Sequence, residues 1–583
     1  MMVRELLGVR VMNRLLRSLS EGAKRAVRPI ALRYLGLCSI AVLAAAPALG
    51  AQRVYVTYGP LEISVPIESL ELFVQTGVID HTWDGFAQYA NQQQLAQLRQ
   101  ALQAKAEVSP VTISQFLYTP QGEVLLERLG RVVQTKGRQP GFYAIRAALI
   151  LAAADAEGLT PINVLKKFPT YGIRIDIARG LELVNQLTAL VNRSNRAIAG
   201  VIELANAQAA SEPAVNLSEF QTPDRRGALS WEKVSLTMMS KNRQGRSFPF
   251  DLYLPTGGSL PAPLIVISHG LGSDRYSFAY LAEHLASYGF AVAVPEHPGS
   301  SSQQLQNLVV GRASEVAQPT EFVDRPLDIK DLLDFLDTLP ASDPKYQGKM
   351  DLQRVGVIGQ SFGGYTALAL AGGGINFEQL DKDCEQEFDT WNISLLLQCR
   401  AQTLRRRDYN LSDSRVKAAI AINPIVSSIL GESNLSQIQV PVMILAATAD
   451  TVAPAVLEQI QPFTWLTNPE KYLVLLNNGT HFSTIDESPE SVFRVPTNAI
   501  GPEPALARRY LNGLSVAFME TYLANDQNFR RYLQPSYIKG ISKDVLGLSI
   551  LRSLSKEQLE QLLSGKSSPT LPASPPQPAP AKP

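Results

Sequence analysis

Residues 354–364 read Arg-Val-Gly-Val-Ile-Gly-Gln-Ser-Phe-Gly-Gly, and an Ala/Leu-rich stretch follows at 365–371. A short apolar run leads through a glycine, Ser361 and a glycine pair into a helix-forming segment. This pattern predicts a buried strand that turns sharply into a helix. A serine hydroxyl is a weak nucleophile and must be held open to a base. A strand-to-helix turn does that, and the flanking glycines permit its tight geometry. The start of the helix also aims backbone N–H groups at a point where negative charge can develop.

Runs of the same kind recur at 264–268 (LIVIS), 290–294 (FAVAV), 418–422 (AAIAI), 442–446 (VMILA) and 472–476 (YLVLL). They are continuous rather than alternating, which marks strands buried on both faces. Helical segments separate most of them, one being Pro326 to Leu339 with Pro326 in its first turn. The expected architecture is α/β, a mostly parallel doubly wound sheet. Alternation at Val234, Leu236 and Met238, and at Phe250, Leu252 and Leu254, adds two half-buried strands in front.

Ser361 needs partners. Asp450 stands just beyond VMILA, and His481 beyond YLVLL. Each candidate therefore sits at the carboxyl end of a predicted strand, in the chain order Ser, Asp, His. In this reading His481 takes the serine proton, and Asp450 orients and stabilises the imidazole. Asp408 and Asp413 precede a strand and are poorer candidates. The segment Ser268-His269-Gly270-Leu271-Gly272 follows LIVIS. The backbone N–H groups of Leu271 and Phe362 are the candidate oxyanion donors. His269, His284 and His81 read as structural residues, and His297 receives no role.

SHGLG, GQSFGG, the DTVAP segment at 450–454 and GTHFS together resemble the platelet-activating-factor acetylhydrolase and dienelactone-hydrolase-like branch of the α/β-hydrolases. The resemblance covers residues 230–525. It implies an α/β-hydrolase fold and hydrolysis of carboxylic esters through an acyl-serine, with no metal and no cofactor. By position it gives Ser361 as nucleophile, Asp450 as acid, His481 as base, and Leu271 and Phe362 as oxyanion donors. Gln360 departs from the pattern, since close relatives often carry histidine there. The region before residue 212 resembles an N-terminal domain of unknown function found on some bacterial members. The implied substrate is a short-acyl or lipid-like ester, which brings transient contact with a membrane surface. Two rivals stand beside this reading: a polyester- or lactone-cleaving hydrolase with the same triad, and a binding or scaffolding protein that retains the fold.

The rest of the chain sets the context. The 54 basic and 53 acidic residues among 583 leave a net charge of +1, which argues against a nucleic-acid partner. The balance is uneven: residues 1–50 carry +6 and the remainder −5. The basic head, the apolar stretch from Leu35 to Ala46 and the small residues Ala48 and Gly50 predict a secretory signal ending near residue 50, with an uncleaved anchor as the alternative. The expected location is periplasmic or extracellular. Cys38 falls in the signal, which leaves Cys384 and Cys399 as disulfide candidates in an oxidising compartment, with two buried free thiols as the alternative. Residues 51–212 read as a mainly helical domain, with one long helix striped by Ile177, Leu181, Val184, Leu187, Val191, Ile198 and Ile202. A linker at 213–230 leads to the catalytic domain, 231–525. Residues 526–566 form a helical extension, and 567–583 a Pro-rich, disordered tail. Within the catalytic domain, 373–413 is an insertion holding both cysteines, Phe388, Trp391 and Leu395 to Leu397. It reads either as a cap over an acyl pocket or as a surface excursion packed on the N-terminal domain. Arg405 to Arg407 could meet a phosphate head group, although such a run is more often a solvated face.

Overall fold

A computed structural model describes residues 50–565 apart from 59, 89, 107, 214, 220–221, 244, 386–389 and 489–496. The predicted signal up to residue 49, the Pro-rich tail and Phe388 lie outside the described residues. The chain divides into two compact units. One ends at Leu190 and takes in Leu308–Ser314; the other holds Val191–Asn307 and the chain from Glu315 onward. The division falls inside the helix Ile177–Ser211, which matches the predicted long apolar stripe.

The first unit combines helices with a four-stranded sheet: β1 (Arg53–Tyr58), β2 (Leu61–Pro66), β3 (Val133–Thr135) and β4 (Gly172–Asp176). The order is β2-β1-β4-β3, with β1 and β4 parallel and the outer pairs antiparallel. β3 and β4 lie in the stretch read as mostly helical. They are three and five residues long and exist through pairing with chain far away in sequence, so no local pattern announces them. Three helices of this unit start in the same way, as Ser109-Pro110, Thr119-Pro120 and Thr160-Pro161. In each the hydroxyl accepts a backbone N–H of the first turn, and proline fills a position whose own N–H would be idle.

The second unit is built on nine strands: β5 (Trp231–Met239), β6 (Ser247–Pro255), β7 (Ala262–Ser268), β8 (Ala291–Pro295), β9 (Met350–Gln360), β10 (Val416–Ile422), β11 (Val442–Ala447), β12 (Lys471–Leu476) and β13 (Leu548–Leu551). Their order is β13-β12-β11-β10-β9-β7-β8-β6-β5. β8, β7, β9, β10, β11 and β12 run parallel, and β5, β6 and β13 pair antiparallel at the flanks. This is the predicted α/β-hydrolase fold.

The continuous apolar runs are explained by two buried faces. Leu264 and Val266 of β7 face the cluster under helix Glu321–Ser342, whereas Ile265 and Ile267 face the cluster under Ala279–Ala286 and Pro504–Tyr522. One boundary differs from expectation. The helix around Pro326 starts five residues earlier, so the proline is interior rather than in the first turn. Its ring leaves the Phe322 carbonyl without the usual N–H donor. The buried Tyr365 hydroxyl donates to that carbonyl at 2.6 Å and replaces the lost bond.

Cys384 and Cys399 form a disulfide. The insertion carrying them packs within this unit. Leu380, Leu395, Leu397 and both cysteines share one apolar cluster with Phe362 and Tyr365 of the helix after Ser361. Buried Glu458 ties the insertion down. It accepts from Asn392, Ser394 and Gln398 of the insertion, and from the Val426 and Ser427 N–H groups after β10. Arg406 pairs with Asp381 and Arg407 stacks on Tyr409, so these members of the arginine run are engaged within the insertion. The segment read as a linker is also held: Gly227 N–H donates to Ser287, and the Pro223 carbonyl meets His284. Among the described residues, no helix is long and apolar enough to cross a membrane.

Candidate active site

Ser361 joins β9 to the helix Phe362–Leu370 at φ 56° and ψ −115°, a left-handed conformation that costs a non-glycine residue on the order of 1 kcal/mol. Neighbours hold it there. Its N–H donates to the Ile422 carbonyl at the end of β10 (2.8 Å), and its carbonyl accepts from Tyr365 (3.1 Å). The flanking glycines are demanded by contact. A Cβ on Gly359 would lie 1.9 Å from the Gly363 carbonyl oxygen, and one on Gly363 would lie 2.0 Å from the Ser268 carbonyl oxygen. The predicted turn is therefore packed against its own helix and the end of β7.

Asp450 follows β11 and His481 follows β12. His481 Nδ1 and Asp450 Oδ2 are 2.6 Å apart, with both residues largely buried. The other carboxylate oxygen accepts the N–H groups of Val452 (2.8 Å) and Ala453 (2.7 Å). This sets the Asp450 side chain and directs Oδ2 at the imidazole. The two loops are laced by Ala449 N–H to the Gly479 carbonyl. Two further residues reach the same histidine. Gln360, beside Ser361, donates to the His481 carbonyl at 3.1 Å. Asn423 donates to it at 3.4 Å and accepts the Ala447 N–H at 2.9 Å. Asn423 was not singled out in the sequence. Its signal was available: a polar residue directly after AAIAI, at the carboxyl end of a strand as Asp450 and His481 are.

Leu271 and Phe362 belong to one packed cluster, with Phe362 fully buried. Among the described residues neither N–H donates to a protein acceptor. Phe362 stands at the first position of its helix, where N–H groups have no intrahelical partner. His269 is fully buried, and its partners define its state. Nε2 accepts the His297 N–H at 3.0 Å, so Nδ1 carries the proton that goes to the Gly270 carbonyl at 2.7 Å. Burial pushes the imidazoles of His269 and His297 well below their ordinary range, and nearby Arg325 adds to the effect. His297 lies between Ser268 and Asp328, at 2.9 Å from each, and forms part of the support under the turn. His284 is structural, bonded to the Pro223 carbonyl. Asp413 is engaged by Arg415, away from the triad candidates. Among the described residues, no cluster of His, Cys, Asp and Glu could hold a metal ion.

Comparison with known proteins agrees with this fold. Residues 265–495 match a model described as alpha/beta hydrolase family, and residues 50–176 match one described as alpha/beta hydrolase of unknown function. The platelet-activating factor acetylhydrolase of Cavia porcellus is 22% identical over 311 residues, covering 46% of this chain and 59% of that protein. The same-named protein of Canis lupus familiaris is 30% identical over 168 residues, 23% of this chain and 36% of that protein. Cutinase 2 of Thermobifida cellulosilytica is 23% identical over 283 residues, 48% of this chain and 76% of that protein. With the nine-stranded sheet, these matches place the chain in the α/β-hydrolase superfamily.

Proposed function

We propose that this protein is an exported serine hydrolase that cleaves carboxylic esters, short-acyl or lipid-like, through an acyl-Ser361 intermediate. The observation that carries the reading is the buried His481–Asp450 pair at the carboxyl ends of adjacent strands, with Ser361 in a left-handed turn two strands away and Gln360 bonded to the His481 backbone. Ser361 Oγ attacks the ester carbonyl carbon and its proton passes to His481 Nε2. The carbonyl oxygen becomes an oxyanion facing the Leu271 and Phe362 N–H groups. Collapse breaks the bond to the leaving oxygen, which takes the proton from His481. Water then repeats the sequence on the acyl-serine and releases the acid.

The disulfide supports an oxidising compartment. The insertion at 373–413, pinned by that bridge and packed on the helix after Ser361, acts in this reading as a cap over the acyl group. The cutinase likeness favours a second substrate class, polyesters, served by the same three residues.

A fluorophosphonate probe tests the chemistry. The folded protein labels on the peptide holding Ser361, and Ser361→Ala does not. Intact protein that fails to label, beside a control esterase that does, removes the enzyme reading and leaves a binding protein on a hydrolase fold. A nitrophenyl ester series with a phospholipid, a lactone and a polyester film then sorts substrates. Equal rates on all of them would remove the acetylhydrolase-like assignment.

A further inference from the structure

Among the described residues the largest fully buried side chain is Arg325, on the helix Glu321–Ser342. Among the described residues no carboxylate lies within ion-pair distance of it. Its hydrogen bonds among the described residues all go to neutral oxygens: the His269 carbonyl and the Ser268 hydroxyl from Nη2, and the Ser300 hydroxyl from Nη1. Its charge is balanced one step out. Ser300 donates onward to Glu321 at 2.8 Å, and Ser268 leads through His297 to Asp328. Those two carboxylates are held in turn by Arg243. Burying a guanidinium is costly, and a purely stabilising role would favour direct pairing. Here the direct contacts are spent on a backbone turn.

That turn is the one bearing Leu271. The Gly270 carbonyl is gripped by His269 Nδ1–H and by the Ser273 N–H. In a trans peptide the C=O and the following N–H point in opposite directions, so fixing Gly270 C=O aims Leu271 N–H away from His269. Arg325 holds the carbonyl of His269 itself, and its guanidinium lies over the Phe362 ring, 4.6 Å from the centroid. One buried cation thus contacts Phe362, one of the two candidate oxyanion donors, and the carbonyl two residues before Leu271, the other.

We propose that Arg325 is a positioning residue for the oxyanion site: it clamps the His269 carbonyl and the Phe362 ring together, so that the Leu271 and Phe362 N–H groups converge on one point. The proposal rests on the serine-hydrolase reading for its catalytic consequence, though not for its geometry.

The test compares Arg325→Met, Arg325→Lys and Arg243→Gln in the full chain. Arg243 belongs to the same charged cluster but does not touch His269. With a nitrophenyl ester, Arg325→Met lowers kcat about 100-fold, the scale of losing one oxyanion donor, and leaves KM within about threefold. The ratio of oxo-ester to thionoester turnover falls at least about tenfold, because sulfur accepts N–H bonds poorly and a misaligned site loses its advantage for oxygen. Arg325→Lys keeps the charge but loses the fork, and recovers part of both. Arg243→Gln lowers the melting temperature and leaves the ratio unchanged. An equal change of ratio in Arg243→Gln, or none in a folded Arg325→Met, overturns the proposal. If Arg325→Met does not fold, Ser268→Ala carries the test with a smaller fall in ratio, and no fall overturns it. If the wild type has no Ser361-dependent turnover, the parent reading fails. Amide exchange at 269–273 then decides the geometry: faster exchange in Arg325→Met or Ser268→Ala than in Arg243→Gln supports it, and equal exchange refutes it.

Discussion

Replacing Asp450 by asparagine changes one atom, and the structure fixes what that atom does. Asp450 Oδ1 accepts two backbone N–H groups, from Val452 and Ala453, and Oδ2 faces His481 Nδ1 at 2.6 Å. An asparagine amide can keep its oxygen toward the two N–H groups or turn it toward the histidine. Turning it sets the NH₂ against two buried N–H donors, at about 1–3 kcal/mol for each unsatisfied group. The oxygen therefore stays, and the NH₂ faces His481. Nδ1 must then accept, which moves the imidazole proton to Nε2. A protonated Nε2 cannot take the serine proton. The expected loss in kcat is about 10⁴-fold, or about 5.5 kcal/mol in the barrier, with little change in KM. The backbone bonds of the Val452 turn survive, so the melting temperature moves little. Initial rates on nitrophenyl acetate beside a thermal melt make the measurement. A variant that melts with the wild type and loses less than about tenfold in kcat would refute the assignment of His481 as base and Asp450 as its orienter.

Three further outcomes follow from burial and charge. Reducing the Cys384–Cys399 bridge, or Cys384→Ser with Cys399→Ser, lowers stability by up to about 3 kcal/mol for its short loop, read as a denaturant midpoint with and without reductant; an unchanged midpoint refutes it. Glu458→Gln turns an NH₂ toward donors that the carboxylate now accepts. It costs at least about 3 kcal/mol, and a loss under about 1 kcal/mol would show that Glu458 does not anchor the insertion. Glu520 is pushed up to about 7, chiefly by burial and then by Asp526. Its raised value means that the stability it contributes is complete below its ordinary 4.5 and is lost as pH rises through about 7. Glu520→Gln therefore stabilises at pH 8 relative to wild type by up to about 3 kcal/mol, and the gain vanishes near pH 4; a pH-independent gain would refute this.

The central sheet was legible because its signal is local. Each strand from β7 to β12 is a short apolar run, and burial on both faces requires such runs. The triad candidates were legible for the same reason, since each stands within five residues of the end of a run. What escaped depends on distant partners. β13 (Leu548–Leu551) reads as part of a helical extension, and becomes a strand only because β12 offers an edge. β4 depends on β1, and β3 on β4, in the same way. Pro326 pointed to a helix start, and the interior position is tolerated because Tyr365, 39 residues on, supplies the missing donor. Arg325 carried no mark of its role, because an arginine in a helix of mixed charge looks solvated until its surroundings are known.

Strand ends explain why so many buried polar side chains gather around Ser361. A sheet satisfies its backbone through neighbouring strands, and that supply stops where the strands stop. Every buried N–H and C=O beyond that point needs another partner. At the carboxyl ends of β7, β10, β11 and β12 the partners are side chains: Arg325 for the His269 carbonyl, Glu458 for the Val426 and Ser427 N–H groups, Asn423 for the Ala447 N–H, Asp450 for Val452 and Ala453, and Gln360 for the His481 carbonyl. An apolar substitute at Arg325, Glu458, Asn423 or Asp450 would leave an orphaned backbone group, and one at Gln360 would leave the His481 carbonyl only the longer Asn423 bond, so the backbone requires these polar residues before any chemistry is considered. The same groups fix the turns that carry Leu271, Ser361, Asp450 and His481. Precision in the site is thus a consequence of closing the sheet's hydrogen bonding, and substitutions that spare these bonds should change substrate range well before they change kcat.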